Sequence, residues 1–179
     1  MPHDAMNSTA SQMPRFDDED IAHARAWLAA ASDPAAIAEI DAVYQIIADQ
    51  IEARRPLCEA SGRCCNFRGH GHLLYVTGLE AAATVRRARA AGVAIEEADI
   101  AAARERGDCP YLVEKLCGVH GVKPLGCRVY FCDPTAQEWQ QDLSERTLEM
   151  MRSLHTRRAI PYRYAEWRWL LSLVVAAGA

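Results

Sequence analysis

The stretch DPAAIAEIDAVYQIIADQIEARR, residues 33–55, shows most directly which class of fold this chain adopts. Asp33 followed by Pro34 is typical of a helix start, because the aspartate caps unpaired amides and proline fits the first helical position. Apolar residues then recur every three or four positions, the spacing of one helix face: Ile37, Ile40, Val43, Tyr44, Ile47 and Ile51. The pattern predicts an amphipathic helix over residues 34–55, ended by Pro56.

Comparable signals on either side predict further helices. One begins with acidic residues, which are favourable at the positive end of the helix dipole. Two others begin at a capping box, a threonine three residues before a glutamate: Thr77 with Glu80, and Thr135 with Glu138. The predicted helices cover residues 17–30, 77–91, 96–106, 135–158 and 164–177.

Two stretches between these helices lack helical periodicity. Residues 57–71 are predicted to form a loop, and residues 109–133 to form turns with short extended pieces. We therefore expect a mainly α fold, with helices packed around an irregular, cysteine-rich loop core. A length of 179 residues suits one domain, so we expect a disordered leader at residues 1–16 and a single domain at residues 17–179.

The charge and the apolar runs exclude some classes of function. A net charge of −4 argues against binding nucleic acid through general basicity. The apolar run at residues 170–179 is shorter than the roughly 20 residues that a membrane-spanning helix needs. The first 16 residues lack the basic and apolar segments of a secretory signal. We expect a cytoplasmic protein without a membrane segment, whose protein partner, if it has one, is unknown.

The cysteines carry the strongest functional signal. They fall into three groups between the helices: Cys58, Cys64 and Cys65; Cys109 and Cys117; Cys127 and Cys132. In a reducing compartment disulfides are rare, and loops rich in glycine and proline allow thiolates to converge on one ion. We therefore interpret all seven as candidate metal ligands, with buried thiols and disulfides as the alternatives. The vicinal pair Cys64 and Cys65 would point to opposite sides of an extended segment, so only one of the two would bind a given ion.

These motifs resemble a known family. The segment from Cys58 to Cys65 is similar to the motif CxxCGxCC, and Cys109-Pro-Tyr-Leu is similar to the motif CPxL. The segment from Cys117 to Cys132 is similar to a third motif. Together these motifs resemble the bacterial cysteine-cluster family, a zinc- or iron-chelating domain of the CxxCxxCC type. Within that last segment Val119-His120, Lys123-Pro124 and Cys127-Arg128 match. The resemblance covers residues 58–133 and implies a metal-binding function.

One residue departs from the family pattern. Ser61 stands where the family has its second cysteine, and serine is a poor metal ligand. His120, three residues after Cys117, is a candidate replacement, because imidazole binds both zinc and iron. The ligand set that we favour from sequence is Cys58 or Cys64 with Cys117, Cys127 and Cys132.

The sequence leaves the metal open between zinc and an iron–sulfur cluster, since four cysteines suit either. Similar cysteine clusters occur beside methyl-transfer functions, including flagellin lysine methylation, and this analogy tilts the expectation towards iron–sulfur. Arg128 is a candidate cofactor-binding residue, because a guanidinium offsets negative charge and donates hydrogen bonds to sulfur. The alternative for Arg128 is a surface ion pair with Asp133.

The expected role is structural, redox or metal-handling. The alternatives are an enzyme or enzyme component that uses an iron–sulfur cluster for methyl transfer or redox chemistry, and an interaction module that a metal stabilises. A substrate-sized pocket lined by Arg128, His120 and the C-terminal aromatic residues would favour the enzyme. Cysteine-nucleophile catalysis with His70, His72 or His120 as the base is a further alternative, as is a small metal-binding tract at His70 and His72. The aromatic run Tyr162, Tyr164, Trp167 and Trp169 reads as core packing or as a ligand cage.

Overall fold

The computed structural model describes residues 14–58 and 61–179, and it is mainly helical. Eight α-helices lie within these residues, and 65% of them are helical. Most of the predicted leader lies outside the described residues. Its last residue, Phe16, is packed edge-on against Trp169, with 5.6 Å between the ring centroids, so this position belongs to the folded structure.

The strongest helix predictions are confirmed. Helix α1 spans Asp18–Ala30, and Asp17 caps it in a capping box with Asp20. Helix α2 spans Pro34–Arg54 and ends at Arg55, which adopts a left-handed conformation with φ of 46° before Pro56. The other elements follow in chain order: α3 (Phe67–His70), β1 (Tyr75–Thr77), α4 (Gly78–Ala90), α5 (Glu97–Arg106), β2 (Leu112–Val113), β3 (Leu116–Cys117), α6 (Leu125–Val129), α7 (Gln137–Arg157), β4 (Tyr164–Glu166) and α8 (Trp167–Ala176).

The hydrophobic core is centred on α8, which packs against α1, α4 and α5. Its residues Leu170, Leu171, Leu173 and Val174 are completely buried. A second group of helices, α2, α6 and α7, packs beside this core. Within the described residues, no helix is both long and apolar enough to cross a membrane.

Trp27 packs closely against the start of α4. Trp27 is fully buried, and its Nε1 donates a 2.7 Å hydrogen bond to the carbonyl of Pro161. A Cβ atom on Gly78 would lie only 2.3 Å from the indole ring. The first turn of α4 therefore fits against Trp27 only because residue 78 is glycine.

Buried Glu80 connects the two helix groups. Its carboxylate accepts hydrogen bonds from Thr77 in the capping box of α4, from the Tyr44 hydroxyl of α2 at 3.2 Å, and from the Leu125 amide at 2.8 Å. Leu125 is the first residue of α6, the helix that carries Cys127 and Arg128. Glu80 thus fixes the start of a cysteine-bearing helix to the helical scaffold.

Two predicted helix starts are wrong. The predicted capping box at Thr135 does not form, because Asp133 accepts hydrogen bonds from the amide and hydroxyl of Thr135 and caps a 3₁₀ helix at Pro134–Ala136. Helix α7 therefore begins at Gln137.

The last helix also starts later than predicted. Tyr164–Glu166 form strand β4, which pairs antiparallel with β1, and the Glu166 side chain accepts from the Trp169 amide at 3.0 Å to cap α8.

The two predicted loop regions contain more regular structure than expected. Residues 57–71 include a 3₁₀ helix at Arg63–Cys65 and helix α3, which Asn66 caps. The short extended pieces expected within residues 109–133 are present as the hairpin β2–β3, together with a 3₁₀ helix at His120–Val122. Helix α6 was not predicted, and its first amide is held by Glu80 from a distant part of the chain.

Candidate metal centre

The three cysteine groups meet because short backbone contacts join their segments. The amide of Cys109 donates a 2.8 Å hydrogen bond to the carbonyl of Cys65. Gly62 has φ of +71°, and a Cβ atom there would lie 2.8 Å from the carbonyl oxygen of Lys115 in the hairpin turn. Glycine at this position therefore allows the first cysteine group to approach the hairpin that carries Cys117.

Cys65 lies at the centre of the thiol cluster. The pKa of its thiol is raised, first by hydrogen bonding to Cys109, then to Cys117 and Cys64, and by burial. Cys65 and Cys109 are each only 5% exposed. Cys65 therefore lies beside its sequence neighbour Cys64 and beside Cys109 and Cys117, which come from a distant segment.

Cys127 is a fifth member of this cluster. Burial raises the pKa of its thiol well above the ordinary value, and the nearby charges of Cys109, Cys117 and Cys64 raise it further. Cys127 also lines the same cavity as Cys64, Cys65 and Cys117. We refer to Cys64, Cys65, Cys109, Cys117 and Cys127 as the thiol cluster.

Two members of the cluster favour the thiolate form. Hydrogen bonding from Cys65 lowers the pKa of Cys64 to about 6 and that of Cys117 to about 7, although burial acts in the opposite direction. Lys123 contributes a further lowering of the pKa of both thiols. Since the thiolate is the form that binds metals, the cluster is partly prepared for a cation at neutral pH.

These pKa differences predict selective alkylation of the metal-free protein. Cys64 should react with iodoacetamide at a rate that stays near its maximum from pH 8 down to pH 7 and falls only below its pKa of about 6. Cys127, whose pKa is raised well above the ordinary value by burial, should react much more slowly than Cys64 at the same pH. Pulse labelling at several pH values, read by peptide mass spectrometry, measures both rates, and equal rates at the two positions would contradict the prediction.

The thiol cluster opens into a cavity of about 640 Å³. Six cysteines line it: Cys58, Cys64, Cys65, Cys117, Cys127 and Cys132. Cys109 is buried against Cys65 instead. Cys58 is exposed, and the segments of Cys58 and Cys132 are joined by a 3.1 Å hydrogen bond from the Leu57 amide to Asp133. The cavity therefore carries cysteines from all three groups, of which Cys65 is buried, Cys58 is exposed and the other four are partly buried.

The thiols of the cluster are suitable metal ligands, but their sulfur atoms are not arranged around a common metal position. In the described part of the chain, no three histidine, cysteine, aspartate or glutamate side chains already surround a point where a metal ion would fit. The Cys65 sulfur instead occupies the middle of the group, hydrogen-bonded to its neighbours. Metal binding would require the thiols to turn towards a common centre, which involves side-chain rotation at Cys65.

The thiol cluster differs from the ligand set favoured by the sequence. It adds Cys65 and Cys109, whereas the cysteines of the favoured set, Cys58, Cys64, Cys117, Cys127 and Cys132, all line the cavity together with Cys65. The assumption about the vicinal pair is also wrong, because Cys64 and Cys65 lie in a 3₁₀ helix and their thiols hydrogen-bond to each other. All seven cysteines lie in the described part of the chain, and no disulfide joins them there.

The histidines are placed differently from one another. His120 is exposed and lines the cavity, with its Nε2 3.2 Å from Lys123 Nζ, and the charge of Lys123 lowers its pKa. His72 lies nearer to the cluster than its sequence position suggests, with Nε2 3.3 Å from the carbonyl oxygen of Cys64 and its ring stacked on Tyr130. His70 ends helix α3 and is exposed. The two histidines of this tract therefore do not form a shared site.

Arg128 lines the cavity and does not pair with Asp133. Its guanidinium lies 4.1 Å from the centre of the Tyr44 ring, and its Nη2 donates a 3.2 Å hydrogen bond to the carbonyl of Gly121. Asp133 is occupied by the amides of Leu57 and Thr135. The structure thus places Arg128 where a cofactor role is possible and excludes the alternative surface ion pair.

Other cavity residues were not singled out from the sequence. Tyr44 was predicted as a core residue of α2, and Lys123 only as part of a basic-proline motif. Ser61, at the position of the missing family cysteine, also lines the cavity. The C-terminal aromatic residues lie elsewhere: Trp167 is buried in the core, and Tyr162 and Tyr164 are exposed. Tyr44, Tyr130 and Phe131 supply the aromatic lining in their place.

No family model matches this chain, and neither a curated protein nor a solved structure does. The resemblance to the cysteine-cluster family therefore rests on the quoted motifs alone.

Proposed function

We propose that this protein binds a metal, as zinc or as an iron–sulfur cluster, through the thiol cluster. The observation that carries the proposal is the convergence of six cysteines, from all three groups in the sequence, on one cavity. Thiols that serve only as small apolar core residues have no reason to gather around one another. Convergence of this kind is typical of a ligand set.

The electrostatics of the cluster support the same function. Cys64 and Cys117 have pKa values of about 6 and 7, so both carry negative charge near neutral pH although they are partly buried. Buried like charges are unfavourable unless a cation compensates them. A bound metal would supply that compensation, and its binding free energy would stabilise the loops around it.

The residues that would hold the metal are those of the thiol cluster, of which a tetrahedral ion needs four. A zinc ion would fix the loops, whereas an iron–sulfur cluster would add one-electron chemistry. The resulting role is structural, redox or metal-handling. The accessible thiolates also favour a reducing, cytoplasmic location.

Anaerobic purification followed by elemental analysis and visible spectroscopy tests the proposal. We expect either iron with acid-labile sulfide and a brown colour, or stoichiometric zinc in a colourless protein. A protein that is folded by circular dichroism, contains neither metal and has seven titratable thiols would contradict it.

An enzyme, or an enzyme component that uses an iron–sulfur cluster, is the second candidate. The cavity beside the thiol cluster favours it, because about 640 Å³ lies within the range of about 300–1,000 Å³ typical of small-molecule sites. Both Arg128 and His120 line this cavity. Its occupant would be the substrate.

A further inference from the structure

The cavity has two chemically different walls. One wall is an apolar face of α2, formed by Tyr44, Ile47, Ala48 and Ile51. The other carries basic side chains: Arg63, Lys115, Lys123 and Arg128. Among the described lining residues, Glu52 is the only carboxylate. The cavity outside the thiol cluster is therefore apolar on one side and positively charged on the other.

The volume of the cavity exceeds what a metal ion requires. A water molecule occupies about 30 Å³ of liquid volume, and a single ion held by four sulfur atoms needs no more. Most of the 640 Å³ would therefore remain open after a single zinc ion binds, and an iron–sulfur cluster would take a larger share. The remaining space is large enough for a small organic molecule.

Arg128 is the basic residue best placed to bind an anion. Other partly buried arginines of the scaffold are neutralised: Arg87 by Asp41, Arg158 by Glu39 and Asp33, and Arg163 by Asp20. Among the described residues, no carboxylate pairs with Arg128. Its ring contact with Tyr44 and its bond to Gly121 hold it in place, while its buried Nε has no hydrogen-bond partner.

A fixed, unneutralised guanidinium in a partly apolar cavity is a strong anion-binding group. Lys123 adds a second positive charge at the same cavity, and its ammonium group contacts only the imidazole of His120 at 3.2 Å among the hydrogen bonds of the described residues. Two basic residues next to an apolar wall are complementary to a ligand that has an anionic group attached to an apolar group.

We propose that the cavity binds a small organic anion, a carboxylate or phosphate joined to an apolar group. The anionic group binds Arg128 and Lys123, and the apolar group packs against Ala48 and Ile51 of α2. The inference goes beyond the proposed metal binding, because residues outside the thiol cluster form this site. A competing explanation is that the basic residues only balance the negative charge of a metal–thiolate centre.

Isothermal titration calorimetry of the protein as purified under anaerobic conditions tests the proposal. The probes are phenyl phosphate, phenylacetate, inorganic phosphate and benzylamine. We expect phenyl phosphate or phenylacetate to bind at least about tenfold more tightly than benzylamine, since the site has a net positive charge. The two organic anions distinguish a phosphate from a carboxylate ligand. Inorganic phosphate should bind more weakly than phenyl phosphate, because it lacks the apolar group.

Variants separate this site from the metal centre. Arg128→Met should weaken the preferred anion by at least about tenfold, as expected for the loss of a charge-assisted hydrogen bond, with metal content unchanged. Lys123→Met should act in the same direction, whereas Arg152→Met should have no effect, because Arg152 pairs with Glu149 and Tyr162 away from the cavity.

Three outcomes would overturn the anion site: benzylamine binding as tightly as the anions, unchanged anion affinity in both Arg128→Met and Lys123→Met, or loss of metal together with anion binding in Arg128→Met. The last outcome would assign Arg128 to the metal centre. Anion binding that depends on Arg128 in a protein without metal would contradict the proposed metal binding and leave this inference standing.

Discussion

Cys65→Ser should abolish stoichiometric metal binding, whereas Cys58→Ser should leave most of it intact. Cys65 is buried and lies beside Cys64, Cys109 and Cys117, so its loss removes the donor at which the first two cysteine groups meet. Serine has nearly the same size but is a poor ligand for zinc or iron. Replacing an outer-shell partner of a metal typically costs about 10–100-fold in affinity, and the loss of a direct ligand should cost more.

The matched control lies in the same cavity. Cys58 is exposed and stands in the cavity wall outside the thiol cluster, so serine there changes a thiol without changing the centre. Both variants would be purified anaerobically, checked by circular dichroism and analysed for zinc, iron and sulfide. Full metal content in a folded Cys65→Ser protein would contradict the assignment of Cys65 as a ligand.

Gly78→Ala should destabilise the protein strongly although alanine is the better helix former. Helix propensity would favour alanine by at most about 1 kcal/mol. The added Cβ would lie 2.3 Å from the Trp27 ring, which is fully buried and is held by its hydrogen bond to Pro161. Overpacking of this kind costs about 1–3 kcal/mol or more, so the steric term exceeds the propensity. A contact of 2.3 Å falls at the upper end of that range, so after the gain in propensity we expect a net loss of about 2 kcal/mol or more.

Thermal and urea unfolding measure this effect. For a chain of this size the midpoint of thermal unfolding should fall by roughly 5–10 °C. Gly121→Ala is the control, because a Cβ atom there meets nothing within 4 Å, and its free energy of unfolding should change by less than about 0.5 kcal/mol. If the two variants were equally stable, the close packing of α4 against Trp27 would be wrong.

Helix starts were predictable where the capping side chain is a near neighbour. Asp17, Asp33 and Thr77 each accept a hydrogen bond from an amide two or three residues later, and each begins a predicted helix. The prediction failed at Thr135 because another local group, Asp133, bonds to its hydroxyl and amide. Both Thr135 and Asp133 are possible capping residues, and the local sequence does not show which of them caps the helix.

Features that depend on distant residues were not predictable. Strand β4 exists because residues 164–166 pair with residues 75–77, and a helical pattern continued through them in the sequence. Helix α6 has its first amide bound by Glu80, which is 45 positions earlier. Neither partner can be identified from local spacing.

The sequence predicted which residues form the candidate site, but not how they are arranged in space. Cysteine spacing and the family resemblance identified the cysteines, His120 and Arg128, and six of the seven cysteines line one cavity. The central position of Cys65 depends on the 3₁₀ turn at Arg63–Cys65 and on its backbone bond with Cys109. The stacking of Arg128 on Tyr44 likewise depends on how α6 packs against α2.

The place of α8 in the chain has a consequence for biosynthesis. This helix forms the middle of the core, yet it follows all seven cysteines in the sequence. At translation rates of about 5–20 residues per second, the thiols are made seconds before the helix that completes the core. During that interval the nascent chain carries them without the finished scaffold, and they are open to any metal or oxidant that reaches the ribosome.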